Sequence, residues 1–184
     1  MALLIHEHLE RLSNLLRVEE RKAGAAHGLQ PVQLEALHYL AFCNRYSNTP
    51  LAVAEYLGLT KGTVSQTLKV LESRGLIHKM SDERDKRIVH LRVTSAGQTL
   101  LEKAIPAPLL RAACAQLSEE ERARIVAGMR ALLLACQRAN SMKSFGLCYT
   151  CRHHQRTGEG GHFCGLTQEA LSAAEITQIC REHT

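Results

Sequence analysis

The stretch LAVAEYLGLTKGTVSQTLKVLESRGLIHKMSDERDKRIVHLRVTSAG, residues 51–97, changes its periodicity as it runs, and those changes decide the fold. Thr49-Pro50, just ahead of it, is a helix start: a capping hydroxyl, then a proline whose missing N–H costs nothing in a first turn. The helix it opens is predicted to stop at Gly58. Thr60 caps a second helix, in which Val64, Leu68 and Leu71 recur at i, i+4 and i+7 until Gly75 ends it. Gly62, Gln66, Lys69 and Ser73 therefore point away from the core. After Leu76 the pattern becomes IHKM, a polar turn SDERDK, then RIVHLRV, which reads as a β-hairpin with a charged tip.

Two short helices joined by a tight turn, the second polar on one face, followed by a basic hairpin, form the layout of a winged helix-turn-helix. A helix fits the major groove of duplex DNA, and a thin hairpin carrying arginine can enter the minor groove. Ser65 and Gln66 are candidates for base contact, since glutamine pairs bidentately with adenine; Lys61, Thr63 and Lys69 suit phosphates. Arg84 and Arg87, flanking Lys86, are the wing candidates. Thr60 to Arg92 holds eight basic residues against four acids, a concentration that suits a polyanion. The plainer reading is a solvated polar face on a small helical domain.

Outward from this core, Leu4, Leu9, Leu12, Leu15, Leu16 and Val18 predict an amphipathic helix ending near Gly24, and Pro31 opens another that runs to about Asn44. Thr94 restarts helix; Pro106 and Pro108 interrupt the segment before Leu117. Ser118 and Glu121 fit a capping box, and the helix after them carries Ile125, Met129, Leu132, Leu133 and Cys136 on one face. The fold class is thus mainly α with a small β-hairpin wing. The first ten residues interleave His and Glu with apolar side chains, and no later run approaches the roughly 18 apolar residues of a membrane span. A cytoplasmic protein with no membrane partner is expected.

The string from Leu51 to Gly97 resembles the DNA-binding core of MarR-type transcriptional regulators, above all in Leu71-Glu-x-x-Gly-Leu-Ile77, Asp82-x-Arg84-Asp85-Lys86-Arg87 and Leu91-x-Val-Thr-x-x-Gly97. The resemblance covers residues 1–140, with the DNA-binding core at 30–97, because the family joins its first and last helices into a dimer interface. It implies a homodimeric regulator, a repressor rather than an enzyme, on a pseudo-palindromic double-stranded DNA operator. The family's minor-groove arginine maps to Arg84 or Arg87, and the aspartate that braces it to Asp82. Gln66 stands where many members carry arginine, so half-site preference is not inherited. No sharp motif marks a ligand pocket, and no small-molecule effector is assigned.

Residues 141–184 form a separate region whose four Lys/Arg and four Asp/Glu cancel. Cys148, Cys151, Cys164 and Cys180 are spaced C-x2-C-x12-C-x15-C, and in a reducing compartment such a set reads first as a metal or redox site. One C-x-x-C followed by two isolated cysteines looks like the ligand set of high-potential iron–sulfur proteins, which favours a 4Fe-4S cluster. A structural zinc ion is the alternative, though zinc ribbons normally show two C-x-x-C knuckles. A dithiol redox enzyme cycling Cys148 and Cys151 is a weaker reading, because no thioredoxin-like βαβ pattern surrounds the pair. Phe145, Tyr149 and Phe163 are candidate shields for a cluster, His153, His154, His162 and His183 spare ligands, and Ser172–Glu175 a capping box opening a helix that presents Cys180. Cys43, Cys114 and Cys136 are expected as small buried side chains.

Overall fold

The computed structural model describes every residue except 84, 141–144 and 159. A long helix α1 (Ala2–Ala26) leads into α2 (Pro31–Phe42), α3 (Pro50–Leu57) and α4 (Lys61–Ser73). The hairpin β1 (Ile77–Ser81) and β2 (Val89–Val93) follows in antiparallel register, with Ile77 opposite Val93 and Ser81 opposite Val89. Then come α5 (Ser95–Ala104), α6 (Pro108–Ala115) and α7 (Glu119–Ala139).

Local chemistry sets these limits. Thr49 accepts the Ala52 N–H at 3.2 Å, Thr60 that of Thr63 at 3.2 Å and Thr94 that of Gly97 at 3.1 Å, so each helix begins where an expected hydroxyl takes an orphan amide. Ser118 and Glu121 make both bonds of the capping box. Gly58 closes α3 with φ of +64°, a left-handed conformation that a side chain would strain. The prolines divide the segment after Thr94 into α5 and α6, and Arg111 clamps the break by donating to the carbonyls of Glu102, Ile105 and Pro106.

The core lies where α2 packs against α4 and the hairpin: Leu34, Leu37, Val53, Val64, Leu68, Leu71, Ile77 and Leu91 are almost fully buried. Gly97 is required by close approach, since a Cβ there would stand 2.4 Å from the Leu76 carbonyl oxygen. That contact locks α5 onto the junction between α4 and the hairpin. α2 stops at Phe42, short of the predicted end near Asn44, because Cys43 and Asn44 turn to pair with the C-terminal region: the Asn44 N–H donates to the Ile179 carbonyl at 2.9 Å.

That region folds into two small sheets. β3 (Gly146–Leu147) pairs with β7 (Ile179–Cys180), and β4 (His154–Arg156), β5 (His162–Cys164) and β6 (Glu169–Leu171) form an antiparallel meander. The Ser172–Glu175 box forms, but it supports only a single 3-10 turn, Glu175–Thr177, and Cys180 arrives on β7 instead of a helix because Gly146 and Leu147 hold that segment extended. Phe145 seats the region by stacking edge-on against Tyr39 and Tyr56, with ring centroids 5.8 and 5.1 Å away. Among the described residues no helix is long and apolar enough to cross a membrane.

Candidate nucleic-acid interface and four-thiol centre

α4 buries Val64, Thr67, Leu68 and Leu71 and turns Lys61, Thr63, Ser65, Gln66 and Lys69 outward, all exposed. The sequence-predicted contact residues thus share one solvent face at the start of this helix. Thr63 is partly engaged, since its hydroxyl lies 3.0 Å from that of Thr60. Two of the nearby cations have structural work: Arg74 donates to the carbonyls of His27 and Gly28, tying α4 to the α1–α2 turn, and Lys79 pairs with Glu72.

At the wing tip Lys86 and Arg87 are exposed. Asp85, not Asp82, grips Arg87: its carboxylate accepts from Arg87 Nε at 2.9 Å and from the terminal nitrogen at 2.8 Å. Those donated bonds hold the Asp85 carboxyl below its usual range. Asp82 shapes the turn by accepting the Asp85 N–H at 2.8 Å, and its other oxygen faces His90 Nε2 at 3.1 Å. Arg84, and with it any bond from Asp82 to that side chain, lies outside the described residues.

In the C-terminal region Cys148, Cys151, Cys164 and Cys180 line one cavity of about 20 Å³, together with Asn44, Tyr46, His153, His154, Leu166, Thr167 and Glu182. Residues spread over 33 positions therefore meet around one space. Cys148 feels this company: burial, then the charges of Cys180, Cys164 and Cys151, push its thiol up to about 11. Burial also opposes the Cys164 thiolate, but the Thr167 hydroxyl and the N–H groups of Thr167 and Leu166 outweigh it and hold this thiol below its ordinary value. Burial raises the Cys180 thiol, against the Asn44 and Ser47 side chains and the Glu182 backbone, which stand near it and favour its thiolate.

Such a donor set, crowded sulfurs met by N–H groups, fits a soft metal centre. Among the described residues no three His, Cys, Asp or Glu side chains form a ready single-ion site. The space between the four sulfurs has room for about one water.

The expected aromatic shield is placed differently. Phe145 is spent on docking and Tyr149 is exposed, while Tyr46 and Leu166 wall the cavity. Of the spare histidines, His153 and His154 reach it; His162 stacks on His154, and His183 is buried beneath Gly146 with Nε2 at 2.8 Å from the Thr150 hydroxyl. Burial, His162 and Arg156 all lower the His154 affinity for a proton. Cys43 is buried as expected, but Cys114 on α6 is half-buried and Cys136 on α7 exposed.

Sequence reasoning missed the residues that dock this region on the winged helix. Arg45 pairs with Glu169 at 3.1 Å and Glu175 at 2.9 Å, the Tyr46 hydroxyl donates to Glu169, the Arg181 N–H donates to Ser47 Oγ at 2.8 Å, and the Arg181 side chain pairs with Glu55 at 2.9 Å. The run Cys43–Asn48 between two helices carried no signal beyond its polarity.

Comparison with known proteins agrees with this architecture. Residues 27–88 match the MarR family. The organic hydroperoxide resistance transcriptional regulator of Bacillus subtilis (strain 168) is 30% identical over 105 residues, 55% of this chain and 71% of its own length. The uncharacterized HTH-type transcriptional regulator YkoM of the same organism is 29% identical over 135 residues, 65% of this chain and 84% of its own length. Streptococcus pneumoniae FabT in complex with DNA superimposes with a TM-score of 0.58 at 26% identity over 76% of this chain and 99% of that one. The S. aureus MepR–DNA complex gives 0.55 at 25% identity over 71% and 96%. The chain therefore belongs to the MarR family of winged helix-turn-helix transcriptional regulators.

Proposed function

We propose that the protein is a homodimeric repressor that binds a pseudo-palindromic DNA operator, and that its four C-terminal cysteines hold an iron–sulfur cluster, 4Fe-4S, whose state tunes DNA affinity. The DNA reading rests on one juxtaposition: the exposed polar face of α4 beside a wing that presents Lys86 and Arg87. Gln66 and Ser65 reach base edges, and Lys61, Thr63 and Lys69 meet phosphates. Asp85 fixes the Arg87 guanidinium at the exposed tip of the wing, where it can meet the minor groove. MepR and FabT, which share this fold, have both been solved with DNA.

A second copy supplies what α7 lacks. Of its 21 residues only Gln137 is buried, while Ile125, Val126, Met129 and Leu133 face outward, as do Leu4, Leu9, Leu12 and Leu15 of α1. Most helical stability in proteins comes from packing an apolar face, and a second copy covers both stripes.

At the centre, Cys148, Cys151, Cys164 and Cys180 would be the ligands. The single C-x-x-C followed by two isolated cysteines favours a cluster over zinc. When bound, a cluster supplies a charge that changes with redox state and a presence that depends on iron supply. The protein orients it through the N–H groups offered to Cys164 and Cys180, and Tyr46 and Leu166 limit water access. Purification without oxygen tests this: a brown protein with iron and acid-labile sulfide is expected, and a colourless one with stoichiometric zinc would sink the cluster while leaving the DNA reading intact. Operator affinity that falls steeply with salt is expected for the DNA reading, and no binding to any duplex at low salt would overturn it.

A further inference from the structure

Asn44 is 1% exposed, on the Cys43–Asn48 segment that joins α2 to α3. Its Oδ1 accepts from the Ser47 hydroxyl at 2.8 Å and the Tyr46 N–H at 3.2 Å, and these two donors fix which end of the amide is nitrogen. Nδ2 is left buried without a hydrogen-bond partner, in a side chain that lines the four-thiol cavity. Folded proteins seldom leave such a donor unmatched. Cys180 lines the same cavity and is held against this segment by Asn44 N–H to Ile179 O at 2.9 Å and Arg181 N–H to Ser47 Oγ at 2.8 Å. A neutral thiol is a weak acceptor, but a metal-bound thiolate carries negative charge and accepts N–H strongly.

We propose that Asn44 is a positioning residue for the sulfur-bound centre, donating from Nδ2 to Cys180 Sγ once that sulfur is a ligand. The inference rests on the reading of the four cysteines as a metal centre and applies to cluster or zinc alike. Its consequence lies in what else the segment holds. The Asn48 carbonyl accepts the Leu91 N–H at 2.7 Å, and Asn48 Oδ1 lies 2.6 Å from His90 Nδ1. His90 then meets Asp82, Asp82 the Asp85 N–H, and Asp85 grips Arg87. The segment that seats Cys180 therefore also seats the wing.

The test uses the full chain purified without oxygen, with bound iron, sulfide and zinc quantified in the wild type first. Asn44→Asp keeps Oδ1 and deletes the donor. Its centre is expected to be lost to a chelator about tenfold or more faster than in the wild type, with helical content and dimer mass unchanged. A folded N44D that keeps its centre at the wild-type rate overturns the inference and leaves the metal reading standing. Wild-type protein with neither iron nor zinc overturns both. Should N44D not fold, Asn44→Ala gives the same comparison without the added charge. Asn44→Gln, which retains a donor, is expected to restore part of the retention, an effect that simple loss of packing would not produce.

Discussion

Replacing Gly97 with alanine puts a methyl group where a Cβ would stand 2.4 Å from the Leu76 carbonyl oxygen and 2.8 Å from Val93 Cγ1. The oxygen cannot retreat freely, because it accepts the Thr94 N–H at 3.0 Å, while Thr94 in turn donates to the Gly75 carbonyl at 2.7 Å. Relief must come from moving α5 away from the base of the hairpin. Overpacking of this kind costs about 1–3 kcal/mol, and with backbone as the obstacle about 3 kcal/mol is expected. For a chain of this size that lowers Tm by roughly 6–12 °C. Gly62→Ala is the matched control: position 62 also lies in a helix first turn, but its Cβ would meet only Thr60 Oγ1, at 3.8 Å. Its helix propensity gain predicts a stability change between zero and about +1 kcal/mol. Urea unfolding of both variants, followed by circular dichroism, gives the comparison. If Gly97→Ala unfolds at the wild-type midpoint, close backbone approach does not lock α5 onto the junction between α4 and the hairpin.

Lys69→Ala should weaken operator binding about equally across sequences and reduce the salt slope by about one unit, as read by fluorescence anisotropy at several salt concentrations; an unchanged slope removes Lys69 from the interface. Gln66→Ala should cost about 1–3 kcal/mol of discrimination at one base position, so uniform loss over all operator variants argues against base contact there. Met129→Glu places charge in the exposed apolar stripe of α7 and should halve the mass seen by sedimentation, with a wild-type mass placing the interface elsewhere. Burial pushes the Cys43 thiol up to about 12, so the folded state keeps a proton that the unfolded chain releases near pH 8.5–9. Its contribution is complete below the unfolded pKa and is lost as pH rises toward 12, at up to about 1.4 kcal/mol per pH unit. Cys43→Ala should flatten that decline; an equal slope in both proteins rules the assignment out.

What was legible in the sequence was what is decided within a turn or two of chain. Thr49, Thr60, Thr94 and Ser118 each cap a helix through an amide three residues away, and the spacing of Val64, Leu68 and Leu71 alone orients α4. The meeting of the four cysteines followed from their clustering and residue type. Their surroundings did not, because strands of two or three residues carry too few positions for a pattern, and because Arg45 and Glu169, 124 positions apart, gain their pairing only when the fold is complete. At short range too, Asp82 and Asp85 both sit within reach of Arg87 in sequence, and it is the turn geometry that pairs this guanidinium with Asp85.

The docking of the cysteine region on Cys43–Asn48 bears on how such a tail could be moved between proteins. Its carboxylates Glu169 and Glu175 need Arg45, its β7 backbone needs Asn44 and Ser47, and Arg181 needs Glu55. A graft of residues 141–184 onto another winged-helix scaffold would arrive without its receptor. Transplanting the connector between the second and third helices restores Asn44, Arg45 and Ser47, but Tyr39, Glu55 and Tyr56 on the flanking helices must travel with it.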